Sequence, residues 1–588
     1  MGRVPLTGEH SVPVDVTDGP ADRTWGEAGT LVQRGGWTLV WFAVVTTGLG
    51  FWTAWTSWPG AAAVAPLFIL AGLVGIVACW VVGNPRSRTL QWAGLGAAFL
   101  AVGIPQAIGI HVRRYFTTDS AAFNQLSARV LLEGKDPYRT SMSGAAYLLN
   151  PPSHFWTYLA DGTHVTQVSY PAASFLFEIP ARWLGFHHEL ADWTDLVAWL
   201  ATGVLLFLLL PASLRWLATL VFMAGAFVGA FSAGGTDALF LPFLVLAVWR
   251  WDRYGSGRAA GLANWIGPVA LGLACAVKQT PWFCLPLLVI GVGIEARRRG
   301  QAVWRVPARY LAIAVGVFAA FNLPFIIWGP RAWLDGILLP FSKPLVADGQ
   351  GMVTLALHGL TGGVVLPWLS GAGLLAYVAL LAAFVIWYPA MKVVWLLVLP
   401  IVLLVPARSF SDYLIDFFPA ALVAVVTVSR VGGAEDTTGV SRLDTGTPAR
   451  RWAVRSAVGI PVVAAAALSV VAFTSAPLDL YVVGVHTSQT TLRLDAVTVT
   501  VHNSSGQRVT PRFMVVLDSS HPSGFWIPAH RDNPLVLAAG ATTTVTLEPP
   551  EFTWSPVHGA HWLVEAYTTP PDALSTSAPQ MWRFGKPQ

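Results

Sequence analysis

Long apolar stretches separated by short polar breaks run through most of this chain, and this pattern predicts a membrane protein. Residues 36–55, 61–82 and 456–476 carry no charged side chain. A helix rises about 1.5 Å per residue, so each stretch can cross a hydrocarbon core roughly 30 Å thick. We predict thirteen transmembrane helices, near residues 37–55, 61–82, 90–110, 192–210, 215–233, 237–251, 262–276, 281–294, 308–328, 370–388, 392–406, 412–429 and 456–476.

Basic residues in the connecting loops predict the orientation of these helices. With the N-terminus in the cytoplasm, the inner loops hold most arginines, as in 86–88, 297–305 and 442–455, whereas the short outer loops 56–60 and 234–236 hold none. This distribution follows the positive-inside rule. Because thirteen is odd, the C-terminus is expected outside the cell membrane.

Two outer segments, 111–191 and 329–369, are too long to be simple turns. Within the first, residues 119–134 place apolar side chains at helical spacing, which predicts an amphipathic helix lying along the membrane interface. Residues 170–185 are apolar but interrupted by Pro171 and Pro180, so we expect a short interfacial or re-entrant piece.

The pattern changes at both ends of the chain. Residues 1–35 are polar and are expected to form a disordered cytoplasmic tail. From 477 to 588, short runs of β-branched and aromatic residues alternate with turn residues, which predicts an external β-sandwich of about seven strands. Its tryptophans either form the sandwich core or stack on sugar rings, and these are Trp526, Trp554, Trp562 and Trp582.

Composition agrees with a membrane environment and excludes other classes. The chain is 54% hydrophobic and only 11% charged, whereas a soluble domain is about a quarter charged. The net charge of +5 resides in loops and reports topology, so no nucleic-acid partner is expected. His154 and His164 lack the spacing of metal ligands, and we assign no metal site.

Four short segments, in a fixed order on the predicted outer face, carry a family resemblance. They are the stretch from Arg113 through Asp119 to the Gly134-Lys135-Asp136-Pro137-Tyr138 turn, the Tyr170-Pro171 pair, the Gly234-Gly235-Thr236-Asp237 turn, and the Gly-rich helix from Gly261 that ends in Lys278-Gln279-Thr280-Pro281. At these positions the chain resembles the GT-C superfamily, and within it the bacterial polyprenyl-phosphate-dependent mannosyl- and arabinosyltransferase-like members. The resemblance covers about residues 90 to 430, and Ala172 stands where the family has a second proline.

The resemblance implies a GT-C-like fold and an inverting transfer of a sugar from a polyprenyl-phosphate donor to a glycan or glycolipid of the cell envelope. Membrane lipids are the other expected partners. Such a reaction needs a base for the acceptor hydroxyl and cationic groups for the departing phosphate. No cofactor is required, although a divalent metal is not excluded.

Asp119 is the candidate catalytic base, because it corresponds to the carboxylate of the family's first large outer loop. The alternative is that Asp119 only caps the helix that it begins. Lys278 and Arg408 are the candidate ligands of the donor phosphate, followed by Arg113 and Arg114. For these long basic side chains, the alternative is an extended conformation that reaches the lipid headgroups.

Five further residues are candidate substrate-binding groups, and these are Asp237, Gln279, Asp412, Tyr413 and Tyr170. Asp237 and Asp412 begin predicted helices, so each has a structural alternative as a helix cap. Two other classes of protein remain open: a flippase or transporter of lipid-linked sugars, and a non-catalytic scaffold for envelope assembly. A transporter would place polar residues near mid-span, whereas here they gather at helix ends.

Overall fold

A computed structural model gives the architecture of the chain. It describes residues 20–54, 59–82, 84, 87–113, 116, 118–148, 156–231, 236–256, 263–428, 447–487, 494–517, 521–529, 534–550 and 560–582. The α-helices are α1 (Pro20–Ala54), α2 (Pro59–Val81), α3 (Arg88–Arg113), α4 (Asp119–Leu132), α5 (Ala173–Leu176), α6 (Ile179–Trp183), α7 (Leu190–Leu209), α8 (Arg215–Met223), α9 (Gly225–Phe231), α10 (Asp237–Val248), α11 (Ala263–Val277), α12 (Cys284–Arg298), α13 (Arg305–Trp328), α14 (Pro330–Ser342), α15 (Thr354–Leu357), α16 (Leu366–Ile386), α17 (Tyr388–Leu404), α18 (Ser411–Ile415), α19 (Phe418–Thr427) and α20 (Pro448–Thr474).

The strands lie mostly in the C-terminal part of the chain. They are β1 (Asp348–Gly349), β2 (Gly363–Val365), β3 (Arg408–Ser409), β4 (Leu478–Thr487), β5 (Leu494–Asn503), β6 (Arg512–Leu517), β7 (His521–Pro528), β8 (Thr542–Glu548), β9 (His561–Thr568), β10 (Ala573–Thr576) and β11 (Gln580–Met581). Short 3₁₀ helices cover Pro137–Arg139, Met142–Leu148, Trp251–Arg253 and Thr280–Phe283.

Within the described residues, eight helices are long and apolar enough to cross a membrane. They are Gly29–Ala54, Gly60–Val81, Arg88–Arg113, Leu190–Leu209, Thr280–Arg298, Arg305–Trp328, Leu366–Ile386 and Arg455–Thr474. Each coincides with one of the thirteen predicted spans, so a helical membrane protein is confirmed. The other five predicted spans fall on shorter helices: three of them on α10, α11 and α17, and two on helices that the chain interrupts, at Ala224 between α8 and α9 and at Asp416 and Phe417 between α18 and α19.

The chain divides into two compact units, of which the first comprises residues 1–101 and 211–223. Here α1 packs against α2 along small residues: a side chain at Gly75 would overlap the Trp41 ring. Arg215 donates a hydrogen bond from Nη1 to Gln91 Oε1 at 2.9 Å. Helix α1 already begins at Pro20, so residues 20–35 of the predicted tail are helical, and residues 1–19 lie outside the described residues.

The second unit comprises residues 102–210 and 224–588. Its α10 and α11 are consecutive and pack against each other, so the start of α10 and the end of α11 lie at the same end of the pair. At a helix end elsewhere in this unit, buried Lys392 lies 3.2 Å from Glu295, which also accepts a hydrogen bond from Tyr388. These charges lie at helix ends and tie α12 to α17.

The predicted helix at 119–134 is confirmed as α4, but it is not amphipathic in the expected sense. Nine of its residues are buried, and they include the polar side chains of Asn124 and Gln125. Asn124 accepts a hydrogen bond from Ser174, and Gln125 accepts one from the backbone N–H of Leu190. Helix α4 is therefore enclosed by the rest of segment 111–191. The expected interfacial piece at 170–185 forms the two short helices α5 and α6.

The C-terminal β-rich domain is confirmed, but its strands form one connected path and not two separate sheets. The order is β2-β10-β9-β6-β7-β8-β5-β4, with β11 paired to β9. Strand β7 belongs to both halves because its end pairs with β8, and the two halves enclose one apolar core. Trp526, Trp562 and Trp582 lie buried in this core and cannot stack on sugars, while Trp554 lies outside the described residues.

This domain is joined to the second long loop by a shared edge. Strand β2, from loop 329–369, pairs antiparallel with β10 of the C-terminal domain. A buried apolar cluster continues across this edge and includes Val346 and Leu357 of the loop and Met514, Leu563 and Leu574 of the domain. The β-rich domain therefore supports the loop from which it receives a strand.

Candidate functional site

Asp119 stands at the first turn of α4 but does not cap it. The cap is Thr118, whose hydroxyl accepts a hydrogen bond from the Ala121 N–H at 3.3 Å. The Asp119 carboxylate instead accepts a hydrogen bond from the N–H of Thr157, with Oδ2 at 2.8 Å. Burial raises the pKa of Asp119, and Thr157 and the nearby Arg408 guanidinium oppose this shift. The structural alternative for Asp119 as a helix cap is therefore wrong.

Arg408 is positioned by a short parallel strand pair. Strand β3 pairs with β1, so that Arg408 lies opposite Asp348 and Ser409 lies opposite Gly349. The Arg408 guanidinium donates a hydrogen bond to the carbonyl of Val346 at 3.1 Å and covers the Phe410 ring. Loop 329–369 thus holds this cation within electrostatic range of Asp119.

Lys278 and Asp237 form a buried ion pair, with side chains only 4% and 3% exposed. Asp237 begins α10 and Lys278 follows α11, so the packing of these two helices brings the charges together. Neither predicted alternative fits: Thr236 occupies the cap position of α10, and the Lys278 side chain is buried in the ion pair instead of extending outwards. A donor phosphate would have to compete with Asp237 for the Lys278 ammonium.

Two tyrosines connect the ion pair with Asp119 and Arg408. The Lys278 Nζ atom lies 5.6 Å from the ring centroid of Tyr170 and 4.9 Å from that of Tyr413. Tyr170 is within electrostatic range of Asp119, and Tyr413 is within range of Arg408. The structure therefore brings Asp119, Lys278 and Arg408 into one cluster around these two rings.

Backbone contacts at residues 169–172 gather the segments that carry the family resemblance. The Tyr138 hydroxyl donates a hydrogen bond to the Tyr170 carbonyl at 2.7 Å. The Gln279 side-chain amide donates to the carbonyls of Ser169 and Ile337, so Gln279 fixes the backbone and its amide nitrogen is not free for a substrate. Three of the resembling segments thus meet at residues 169–172: the Gly-x-Asp-Pro-Tyr turn, the Tyr-Pro pair and the Lys-Gln pair.

Two carboxylates that sequence reasoning missed also belong to this cluster. Asp416 follows α18, is completely buried, and receives no hydrogen bond at either carboxylate oxygen from a described donor. It lies within electrostatic range of Asp237 and Lys278. Asp195 of α7 accepts a hydrogen bond from the Thr236 N–H at 3.2 Å and so fixes the entry to α10. Their sequence signal was a charged residue inside an otherwise apolar stretch.

The remaining candidates lie at the edge of the cluster or outside it. Asp412 is half-buried on α18 within electrostatic range of Asp237 and Lys278. Arg113 lies at the end of α3, where it is within range of Asp192 of α7. Arg114, His154 and the Gly234-Gly235 pair are outside the described residues.

The cluster combines a half-buried carboxylate, a nearby guanidinium and a surplus of buried acids around one ammonium. This arrangement can accept a proton at Asp119, bind an anion at Arg408, and accept hydrogen bonds from hydroxyl groups at Asp412. Among the described residues, no group of three or more His, Cys, Asp or Glu side chains has metal-binding geometry.

Comparisons with known proteins leave the family of the chain open. No family model, no curated protein and no solved structure matches it. The fold is that of a helical membrane protein with a β-rich C-terminal domain. Its charged cluster lies between the two long loops and the ends of α10 and α11.

Proposed function

We propose that this protein is a GT-C-like glycosyltransferase that moves a sugar from a polyprenyl-phosphate donor to a glycan or glycolipid acceptor. The main support for the proposal is the environment of the Asp119 carboxylate. This carboxylate does not cap α4, because Thr118 does so; it is half-buried and lies within electrostatic range of Arg408. A carboxylate beside a cation is what an acid–base step next to a departing phosphate requires.

In the proposed reaction, Asp119 removes the proton from an acceptor hydroxyl. The resulting oxygen attacks the anomeric carbon from the side opposite the phosphate, the bond from that carbon to the phosphate oxygen breaks, and the configuration inverts. The electron pair of the broken bond leaves with the polyprenyl phosphate. Burial raises the pKa of Asp119, which makes its carboxylate a stronger base.

Arg408 is the proposed ligand of the leaving phosphate, because its guanidinium is half-buried and presents several donors to phosphate oxygens. Lys278 has a different proposed role. It holds Asp237 and, with Tyr170 and Tyr413, forms the floor against which the sugar lies. Asp412 is the acid proposed to accept hydrogen bonds from sugar hydroxyls.

The proposed topology keeps thirteen crossings, with the N-terminus in the cytoplasm and the β-rich domain outside. The five shorter helical segments complete the count by crossing in contact with neighbouring helices. Helices α10 and α11 support this view, since most residues of α10 are buried and an apolar helix surrounded by protein need not match the full membrane thickness.

The decisive experiment incubates the purified protein with a panel of radiolabelled polyprenyl-phosphate sugars and envelope acceptors. We expect transfer by the wild type and a loss of about 100-fold or more in Asp119→Asn, because an amide cannot take the proton. The melting temperature should stay near the wild-type value, since Thr118 still caps α4 and the asparagine oxygen can accept from Thr157.

Asp335→Asn is the matched control, because Asp335 is 59% exposed on α14 and pairs only loosely with Arg331. It should transfer sugar at the wild-type rate. A folded Asp119→Asn protein with full activity would remove the assignment of the base. Retained assembly of the cell envelope after combined replacement of Asp119, Lys278 and Arg408 would favour a scaffold instead.

A further inference from the structure

A pocket with several basic side chains lies beside α4, apart from the cluster around Lys278. It has a volume of about 460 Å³, and its lining includes four basic side chains: Arg129 of α4, Arg182 of α6, and His187 and His188 of the loop that follows. Gln125 and Tyr147 complete its polar wall. None of the described residues that line it is acidic, so the pocket suits an anion.

The charges around the pocket are only partly balanced. Arg129 pairs with Glu133 at 3.1 Å, but both side chains are largely exposed, so this ion pair is weak. Arg182 has Glu178 within electrostatic range, yet both Glu178 carboxylate oxygens are buried without a hydrogen-bond partner among the described residues. The Arg182 Nε atom is buried and has no hydrogen-bond partner among the described residues. Because neither Glu178 oxygen accepts from it in the structure, this buried Arg182 donor is available to another acceptor.

The residues next to the pocket indicate which kind of molecule supplies an acceptor. Trp183, Leu184 and Phe186 are 74%, 78% and 61% exposed, and they directly join Arg182 to His187. In a membrane protein, exposed aromatic and aliphatic side chains of this kind enter the lipid at the level of the headgroups. Basic side chains beside them then meet lipid phosphates.

We propose that this pocket binds the phosphate group of a membrane lipid, with Arg182, His187 and His188 as its ligands. The apolar side chains of Trp183, Leu184 and Phe186 contact the glycerol and the first carbons of the lipid chains. The volume of the pocket lies in the range of small-ligand sites and accommodates a phosphate headgroup. This proposal does not depend on glycosyl transfer, since it concerns other residues and requires no reaction.

The test uses the full-length protein in a non-ionic detergent and measures binding by isothermal titration calorimetry. The probes are dioctanoyl phosphatidic acid, dioctanoylglycerol, which lacks the phosphate, and inorganic phosphate. We expect the wild type to bind the phosphatidic acid and to bind the other two at least about tenfold more weakly, which is the effect of losing one charge-assisted hydrogen bond.

The variants are Arg182→Gln and the double change His187→Gln with His188→Gln, and each should weaken the binding of phosphatidic acid by about tenfold. Since both histidines are exposed, the double variant remains informative if Arg182→Gln fails to fold. Arg331→Gln is the control, because Arg331 is 96% exposed on α14. Equal binding by the double variant and the wild type, or equal binding of dioctanoylglycerol or inorganic phosphate, would overturn the proposal.

Discussion

At the scale of single residues, the buried ion pair between Lys278 and Asp237 is asymmetric. Lys278 lies within electrostatic range of four described carboxylates, since Asp195, Asp412 and Asp416 join Asp237. Removing a carboxylate therefore leaves the ammonium with another partner, whereas removing the ammonium leaves buried acids without a cation. Breaking a buried ion pair in this way costs about 3–5 kcal/mol.

We therefore expect Lys278→Met to lower the melting temperature in detergent much more than Asp237→Asn. The double variant Lys278→Met with Asp237→Leu should recover part of the loss, because it removes one of the unpaired acids. Lys135→Met is the control, since Lys135 is 63% exposed in its ion pair with Glu133, and it should melt like the wild type. Equal melting of Lys278→Met and the wild type would contradict this account.

A second prediction concerns Glu565 of β9 and the pH dependence of the protein's stability. The residue is buried, and its Oε2 atom accepts a hydrogen bond from the Tyr567 hydroxyl at 3.0 Å. Burial raises the pKa of Glu565 from 4.5 to about 8. Because the folded protein then holds the proton more tightly than the unfolded chain, this contribution to stability is full below pH 4.5 and is lost as the pH rises towards about 8.

In Glu565→Gln the side chain stays neutral and still accepts the Tyr567 hydrogen bond. The melting temperature of this variant should rise relative to wild type as the pH increases from 5 to about 8, and the difference should then level off. The exposed Glu548 of β8 provides the control Glu548→Gln. A constant difference across this pH range would count against a protonated Glu565.

At the scale of elements, the short pair of β1 and β3 determines where Arg408 lies. Gly349 of β1 has a φ of +109°, and a Cβ there would overlap the Ser409 carbonyl oxygen of β3. Any side chain at this position separates the two strands. The pair therefore depends on glycine both for its backbone conformation and for the close approach.

Gly349→Ala should accordingly abolish sugar transfer and lower the melting temperature, because Arg408 moves with β3. Gly362→Ala is the matched control: Gly362 also has a positive φ, of +69°, but no atom lies within 4 Å of an added Cβ. That variant should lose only about 1 kcal/mol from backbone strain and keep its activity. Similar activity losses in both variants would show that strain, and not the approach of β1 to β3, is responsible.

Helix α4 illustrates which properties of an element follow from local sequence. Its position was predicted because Phe123, Val130 and the other apolar residues recur at helical spacing. Its enclosure was not predicted, since Asn124 and Gln125 are satisfied by Ser174 and Leu190, which are 50 and 65 residues away in the chain. The local pattern predicts an exposed polar face, because the partners of these polar residues are distant in sequence.

At the scale of the whole molecule, the number of crossings determines which side the β-rich domain occupies. Thirteen crossings place the two ends of the chain on opposite sides, whereas the eight long helices alone would place them on the same side. With the N-terminus in the cytoplasm, thirteen crossings place Trp304, which is 84% exposed, inside and Tyr481, which is 61% exposed, outside, whereas the eight long helices alone would reverse the two.

We expect a membrane-impermeant maleimide to label Tyr481→Cys in intact cells and Trp304→Cys only after the membrane is opened. The native cysteines, Cys79, Cys275 and Cys284, are buried, so the unmodified protein serves as the background control. Labelling of both positions from the same side would exclude thirteen crossings with this orientation.

The long apolar helices, the β-rich C-terminal part and the position of α4 follow from the amino-acid sequence, because hydrophobic length and side-chain periodicity are local properties. Three features appear only in the folded chain: Lys278 pairs with Asp237, Asp416 joins them, and β2 extends the C-terminal sheet. Each of these contacts joins residues about 40 to 210 positions apart. Their pairing depends on how helices and strands pack, which no local pattern records.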